Sequence, residues 1–104
     1  FDGNATNLFP LSDAQEAQRI VKLAGSEDAL ADLIVGAINE KDYQWAAMLC
    51  DYLLVVDPKN KTVMLRKADA LTALAQDKLT TTARNYYLSS AIELRKQASA
   101  LASE

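Results

Sequence analysis

The sequence predicts an all-α fold of about five helices, and three observations predict it. Alternating β-branched runs are nearly absent, alanine and leucine dominate, and apolar residues recur at three- and four-residue spacing almost everywhere. The first helix begins after Ser12. Ser12-Asp13-Ala14-Gln15 has the capping-box pattern, in which the hydroxyl accepts from the third backbone N–H and the glutamine reaches back. Ile20, Leu23 and Ala24 form its apolar side, and Gly25 supplies the left-handed residue that ends it.

A second helix starts at Ser26, with Glu27 and Asp28 at the positive end of the dipole. Leu30, Leu33, Ile34, Ala37 and Ile38 make one broad stripe. Gly36 lies off that stripe, where it either permits close helix contact or weakens the helix. After a turn at Asn39-Glu40-Lys41-Asp42, Asp42 caps a third helix with the stripe Trp45, Met48, Leu49, Tyr52, Leu53 and Val56. Asp57-Pro58 stops it, because a residue before proline is pushed out of the helical region. Leu53-Leu54-Val55-Val56 resembles a strand in isolation, but it closes a long helical pattern.

A fourth helix begins near Asn60, with Met64, Ala68, Leu71 and Ala75 inward and Leu65 and Leu74 beside them. A fifth begins among Thr80, Thr81 and Thr82. Its seam is Ala83, Tyr87, Ala91, Leu94, Ala98 and Leu101, flanked by Tyr86, Leu88 and Ile92, and it runs past Arg95 into an Ala/Ser tail that frays. A stripe that wide wants partners on two sides.

Composition narrows the function. The chain has 104 residues, enough for one domain with one core. It has no histidine, which removes histidine triads, histidine acid–base work and histidine metal ligands; its single cysteine allows neither an intrachain disulfide nor a zinc thiolate cluster. Three glycines form no phosphate-cradling loop. A net charge of −3 argues against nucleic acid as a partner, and no apolar run is long enough to span a membrane. Cys50, among apolar neighbours, reads as a buried inert thiol.

The remaining candidates for chemistry have structural readings. Glu27/Asp28 and Glu40/Asp42 sit at helix ends, where capping and dipole effects account for them. Lys59, Lys61, Arg66 and Lys67 could meet a phosphate or an acidic partner, or form a solvated helix start in which Arg66 pairs Asp69 across one turn. Asn4-Ala5-Thr6 and Asn60-Lys61-Thr62 match the glycosylation acceptor pattern. The adjacent Tyr86 and Tyr87 diverge by ~100° on a helix, so either the fifth helix is covered on two faces or one tyrosine lies at a protein interface.

The second and third helices resemble one degenerate tetratricopeptide unit. Tyr43, Ala46 and Pro58 fall where that unit has its turn aromatic, small packing residue and closing proline; Leu30 and Ile34 replace its usual tryptophan and glycine. An array needs about three repeats to stand, so the first and fifth helices must close the core.

Longer strings resemble a specific family. Asp42-Tyr43-Gln44-Trp45-Ala46-Ala47, Val56-Asp57-Pro58, Arg84-Asn85-Tyr86-Tyr87-Leu88 and Ala91-Ile92-Glu93-Leu94-Arg95 are similar to the dimerisation domain of bacterial alkylsulfatases, zinc hydrolases of the metallo-β-lactamase fold. The opening Phe1-Asp2-Gly3-Asn4-Ala5, with Pro10 after it, resembles the segment by which that family leaves its catalytic domain, with Ala5 in place of proline. The resemblance implies a piece of a longer protein: residues 1–11 a linker from a preceding catalytic domain, residues 12–104 one helical dimerisation domain, and a sterol-carrier-like domain beyond. It implies a parent that hydrolyses alkyl sulfates such as dodecyl sulfate, with zinc held in the catalytic domain and none here. It implies a non-catalytic module whose partners are a second copy and the parent's own catalytic and C-terminal domains. A periplasmic or secreted bacterial parent is one expectation that no residue fixes. Stripe width points to Tyr86, Tyr87, Ala91 and Leu94 on the fifth helix as part of the dimer contact. The competing readings are a tetratricopeptide-like binder of extended peptides and a free-standing enzyme, for which no acid, base or nucleophile stands out.

Overall fold

The computed structural model describes Gly3 and residues 11–77 and 80–102. The expected linker, apart from Gly3 and Leu11, the acceptor triplet at Asn4, and Leu79 lie outside the described residues. Five helices follow in order: α1 (Asp13–Ala24), α2 (Glu27–Asn39), α3 (Tyr43–Val56), α4 (Lys61–Gln76) and α5 (Thr81–Ala102). All regular structure among the described residues is helical, as the sequence predicts.

Local signals set most boundaries. Ser12 and Gln15 form the reciprocal capping box, with bonds of 3.2 and 3.1 Å. Gly25 ends α1 at φ 116°, a conformation open to glycine and costly for other residues. Ser26 Oγ accepts from the Ala29 N–H at 3.0 Å, and Thr80 Oγ1 accepts from the Ala83 N–H at 3.3 Å. Asn60 Oδ1 accepts from the Val63 N–H while its amide donates to Asp57, both at 3.1 Å. The side chain in the second acceptor triplet is thus a helix cap. Asp42 takes the cap position of α3 but makes no side-chain cap bond; the turn is held instead by the Asp42 N–H donating to the Ala37 carbonyl at 2.8 Å.

Packing is sequential. α1 lies on α2 and α3, α2 on α3 and the edge of α4, α3 on α4, and α4 on α5, so that among the described helices α5 packs on α4 alone. Two clusters form the core. Leu30 and Ile34 of α2 meet Leu49, Cys50 and Leu53 of α3 and Val63 of α4. Ala37, Ala46, Ala47, Ala68, Ala70, Leu71 and Ala91 make the second, bordered by Tyr43, Tyr87 and Leu94. The α2–α3 turn ends lie in the alanine cluster and their far ends in the other, so the hairpin is antiparallel. Its alanines let the helix axes approach closely.

The inward faces differ from the spacing-based ones in places. Leu23, Leu33, Trp45 and Met48, which spacing places inside, are exposed, whereas Ala17 and Ala47 are buried; Ala46 and Cys50 are buried as the sequence predicts. The reason is close approach: where helices meet through small residues, the adjacent bulky ones are turned outward. Gly36 makes no tight contact, since a Cβ there would find no atom within 4 Å.

Candidate functional site

The residues expected at a contact on α5 do not act together. Ala91 is fully buried in the alanine cluster, and Tyr87 and Leu94 pack against the same cluster half-buried. The seam that spacing identified faces α4, and Ala91 lies within it. Tyr86 alone turns outward, 74% exposed. Its ring meets that of Tyr87 edge-on, with centroids 6.4 Å apart and planes at 80°. Arg95, one turn beyond Ala91, reaches back to α4 and bonds Asp69 and Thr72 at 3.2 and 3.1 Å. Asp69 therefore pairs with Arg95 and not with Arg66, the partner expected one turn away.

The larger apolar surface is on α3. Trp45, Met48 and Val55 are 45%, 40% and 43% exposed, and Tyr52 lies half-buried between them. At ~100° per residue the four fall within a sector of about 80°, along about 15 Å of helix. Three sides of α3 are covered by α1, α2 and α4, and this stripe is the fourth. Met48, Tyr52 and Val55 form one wall of an open groove of about 310 Å³, with Asp51 on the same helix and Asp13 and Glu16 opposite on α1. A second groove, of about 330 Å³, lies on the other side of Val55.

Two of the charges around the stripe, Glu16 and Asp51, have partners within the chain. Tyr52 Oη donates to Glu16 Oε1 at 3.1 Å. Asp51 pairs with Lys67 of α4 at 2.6 Å, which places one member of the basic cluster in an ion pair. Asp13 and Glu16 lie in the first turn of α1, where the helix dipole favours negative charge. What remains at the centre is tryptophan, methionine, tyrosine and valine. The first three are residue types enriched at protein contacts. The spacing of α3 missed this face because the helix is apolar most of the way round. The signal that separates its sides is size: Ala46, Ala47 and Cys50 mark the inside.

Little here suits bond-making chemistry. Cys50 is buried, and burial, reinforced by the Asp51 charge, pushes its thiol up to about 12; it is no nucleophile near neutral pH. Among the described residues no cluster of three acidic, cysteine or histidine side chains could hold a metal ion. Nor is any described helix long and apolar enough to cross a membrane.

Comparison with known proteins places the whole helical array in context. A family model described as alkyl sulfatase dimerisation matches residues 1–97. An (R)-specific secondary-alkylsulfatase of Pseudomonas sp. is 36% identical over 95 residues, a match covering 91% of this chain and 14% of that protein. A linear primary-alkylsulfatase of Pseudomonas sp. is 32% identical over 95 residues, covering 91% and 14%. Alkyl/aryl-sulfatase BDS1 of Saccharomyces cerevisiae is 32% identical over 96 residues, covering 92% and 15%. The solved structure of the stereoselective inverting sec-alkylsulfatase Pisa1 from Pseudomonas sp. superposes with a TM-score of 0.84 at 36% identity, over 91% of this chain and 15% of that one. The chain thus spans about a seventh of the length of these relatives.

Proposed function

Because this chain belongs to the alkyl sulfatase dimerisation family, we propose that it joins two copies of an alkylsulfatase and carries none of the chemistry itself. The observation that supports this reading is the family match over residues 1–97, which takes in nearly the whole helical array and not one motif within it. The physical character of the chain agrees. It offers an apolar aromatic face, and charged side chains at Asp51, Lys67, Asp69 and Arg95 are held in ion pairs within the chain.

The rest of the reading concerns the parent protein. It hydrolyses sulfate esters of alkyl alcohols, dodecyl sulfate among them, at a zinc site in a separate catalytic domain of metallo-β-lactamase fold. The helical module packs beside that domain and a C-terminal one while holding a second subunit. The tetratricopeptide likeness of α2 and α3 then describes how an alanine-lined hairpin packs, not a peptide-binding groove.

Two measurements test this. Light scattering after size exclusion, over about a hundredfold range of concentration, should give twice the 11.4 kDa of one chain. A mass of one chain throughout overturns self-association by these helices. Sulfate release from dodecyl sulfate should be found for the full-length protein, lost on chelation of zinc, and absent for this chain alone.

A further inference from the structure

We propose that the dimer forms by antiparallel packing of α3 on the α3 of a second copy, through Trp45, Met48, Tyr52 and Val55. This rests on the dimerisation reading above and names its surface. Three features point to a second copy of this chain as the occupant.

The first is the register of the stripe. A two-fold axis makes a contact self-complementary, so a residue i that meets j requires j to meet i. Two antiparallel copies of α3 centred on Cys50 bring Trp45 opposite the partner subunit's Val55 and Met48 opposite the partner subunit's Tyr52, and the same two pairs recur on the other side of the axis. Trp45 and Val55 are equally far from position 50, and so are Met48 and Tyr52. A stripe serving an unrelated partner has no need of that symmetry.

The second is shape. Trp45 is the one large projecting ring at its end of the stripe. At the other end the grooves beside Val55 provide recesses. Knob and recess sit on one helix face, so one antiparallel crossing seats each Trp45 beside the partner subunit's Val55.

The third is polarity. The indole N–H only donates, and the groove wall carries the carboxylates of Asp13 and Glu16 as acceptors. Asp51 enters already paired with Lys67, so it brings no unpaired charge to the contact. A standard interface removes about 800 Å² per partner, roughly a ninth of the 7030 Å² surface of one chain. The stripe supplies the centre of such an area and the flanks of α1 and α4 its rim.

The single tryptophan of the chain makes the proposal directly readable. Concentration series of the 104-residue chain are followed by light scattering and by tryptophan emission together. Emission should shift to shorter wavelength in step with the doubling of mass, as water leaves the indole. Trp45→Asp and, independently, Val55→Asp should hold the mass at one chain while circular dichroism retains the helical signal. Tyr86→Asp should leave the dimer intact. A wild-type dimer whose emission is constant, or one that survives both Trp45→Asp and Val55→Asp, overturns the α3 surface and leaves the dimerisation reading standing. Monomer formation by Tyr86→Asp alone moves the contact to α5. A wild-type chain that never exceeds one-chain mass overturns both readings.

Discussion

Tyr52 Oη donates to Glu16 Oε1 at 3.1 Å, across 36 positions of sequence. The bond ties α1 to α3 at the rim of the exposed stripe, above the buried Ala17. It also holds the phenol pKa above its usual 10.0: the hydrogen bond to the Glu16 carboxylate contributes most, then burial, then the charge of Glu16.

Replacing Tyr52 with phenylalanine removes that bond and keeps the ring. The bond is exposed, so the loss is under about 1 kcal/mol. Its pH dependence follows from the direction of the shift. A phenol whose folded-state pKa is raised gives its stabilisation in full below the ordinary value of 10.0 and loses it as pH rises through the folded value. Urea titrations at stepped pH should show wild type and Tyr52→Phe separated at neutral pH and converging above pH 10. Tyr43, Tyr86 and Tyr87 are common to both proteins and cancel. Parallel curves at all pH values would show that the bond contributes nothing.

Cys50 gives a second alkaline signature. Burial holds its thiol near 12 in the folded chain against 9.0 in the open. The stabilisation from keeping it a thiol is complete below pH 9.0 and is lost as pH rises toward 12. An aromatic disulfide reagent at pH 8 should therefore leave the native chain unmodified and titrate one thiol once urea unfolds it. Cys50→Ala should cost about 1 kcal/mol through the lost sulfur contacts. Rapid labelling of the native chain would contradict the buried placement.

Leu30 and Leu33 separate what the sequence makes legible from what it does not. Both fit the helical stripe of α2, yet Leu30 is fully buried and Leu33 is 53% exposed. Caps and stops were readable because each is decided within one turn: Ser12 with Gln15, Gly25, Ser26, Asn60. Partners distant in sequence were not. Asp69 bonds Arg95, 26 positions away, where spacing offered Arg66. On α3 the apolar residues run most of the way round and only Gln44 and Asp51 mark the outer side, so placing Trp45, Met48 and Val55 on it required knowing that α1, α2 and α4 cover the rest. On α5 the width of the stripe has a second cause, since Ala91 at its centre is buried in the seam with α4. The contrast is measurable: Leu30→Ala should lower stability by about 2–5 kcal/mol and Leu33→Ala by less than about 0.5, read as the shift in urea midpoint at constant slope.

Gly36 and Lys41 are the positions where backbone preference and side chain disagree. Gly36 lies inside α2 with no positive φ, and a Cβ there meets nothing within 4 Å. Gly36→Ala should therefore stabilise by about 0.5–1 kcal/mol, from the lower backbone entropy of the unfolded chain and better helix propensity. Lys41, in the α2–α3 turn, is held at φ 61°, the one non-glycine residue at positive φ among those described. Its carbon branch raises the energy of that conformation by about 1 kcal/mol or more, which glycine avoids at an entropic cost of similar kind. Lys41→Gly should gain less than Gly36→Ala, a few tenths of a kcal/mol by thermal melting. Neither position lies on the Trp45–Val55 face, so both variants should keep the mass of the wild-type chain at every concentration. A Gly36→Ala chain that is more stable yet monomeric would place the contact on the outer side of α2, where the bare helix would then be the feature that matters.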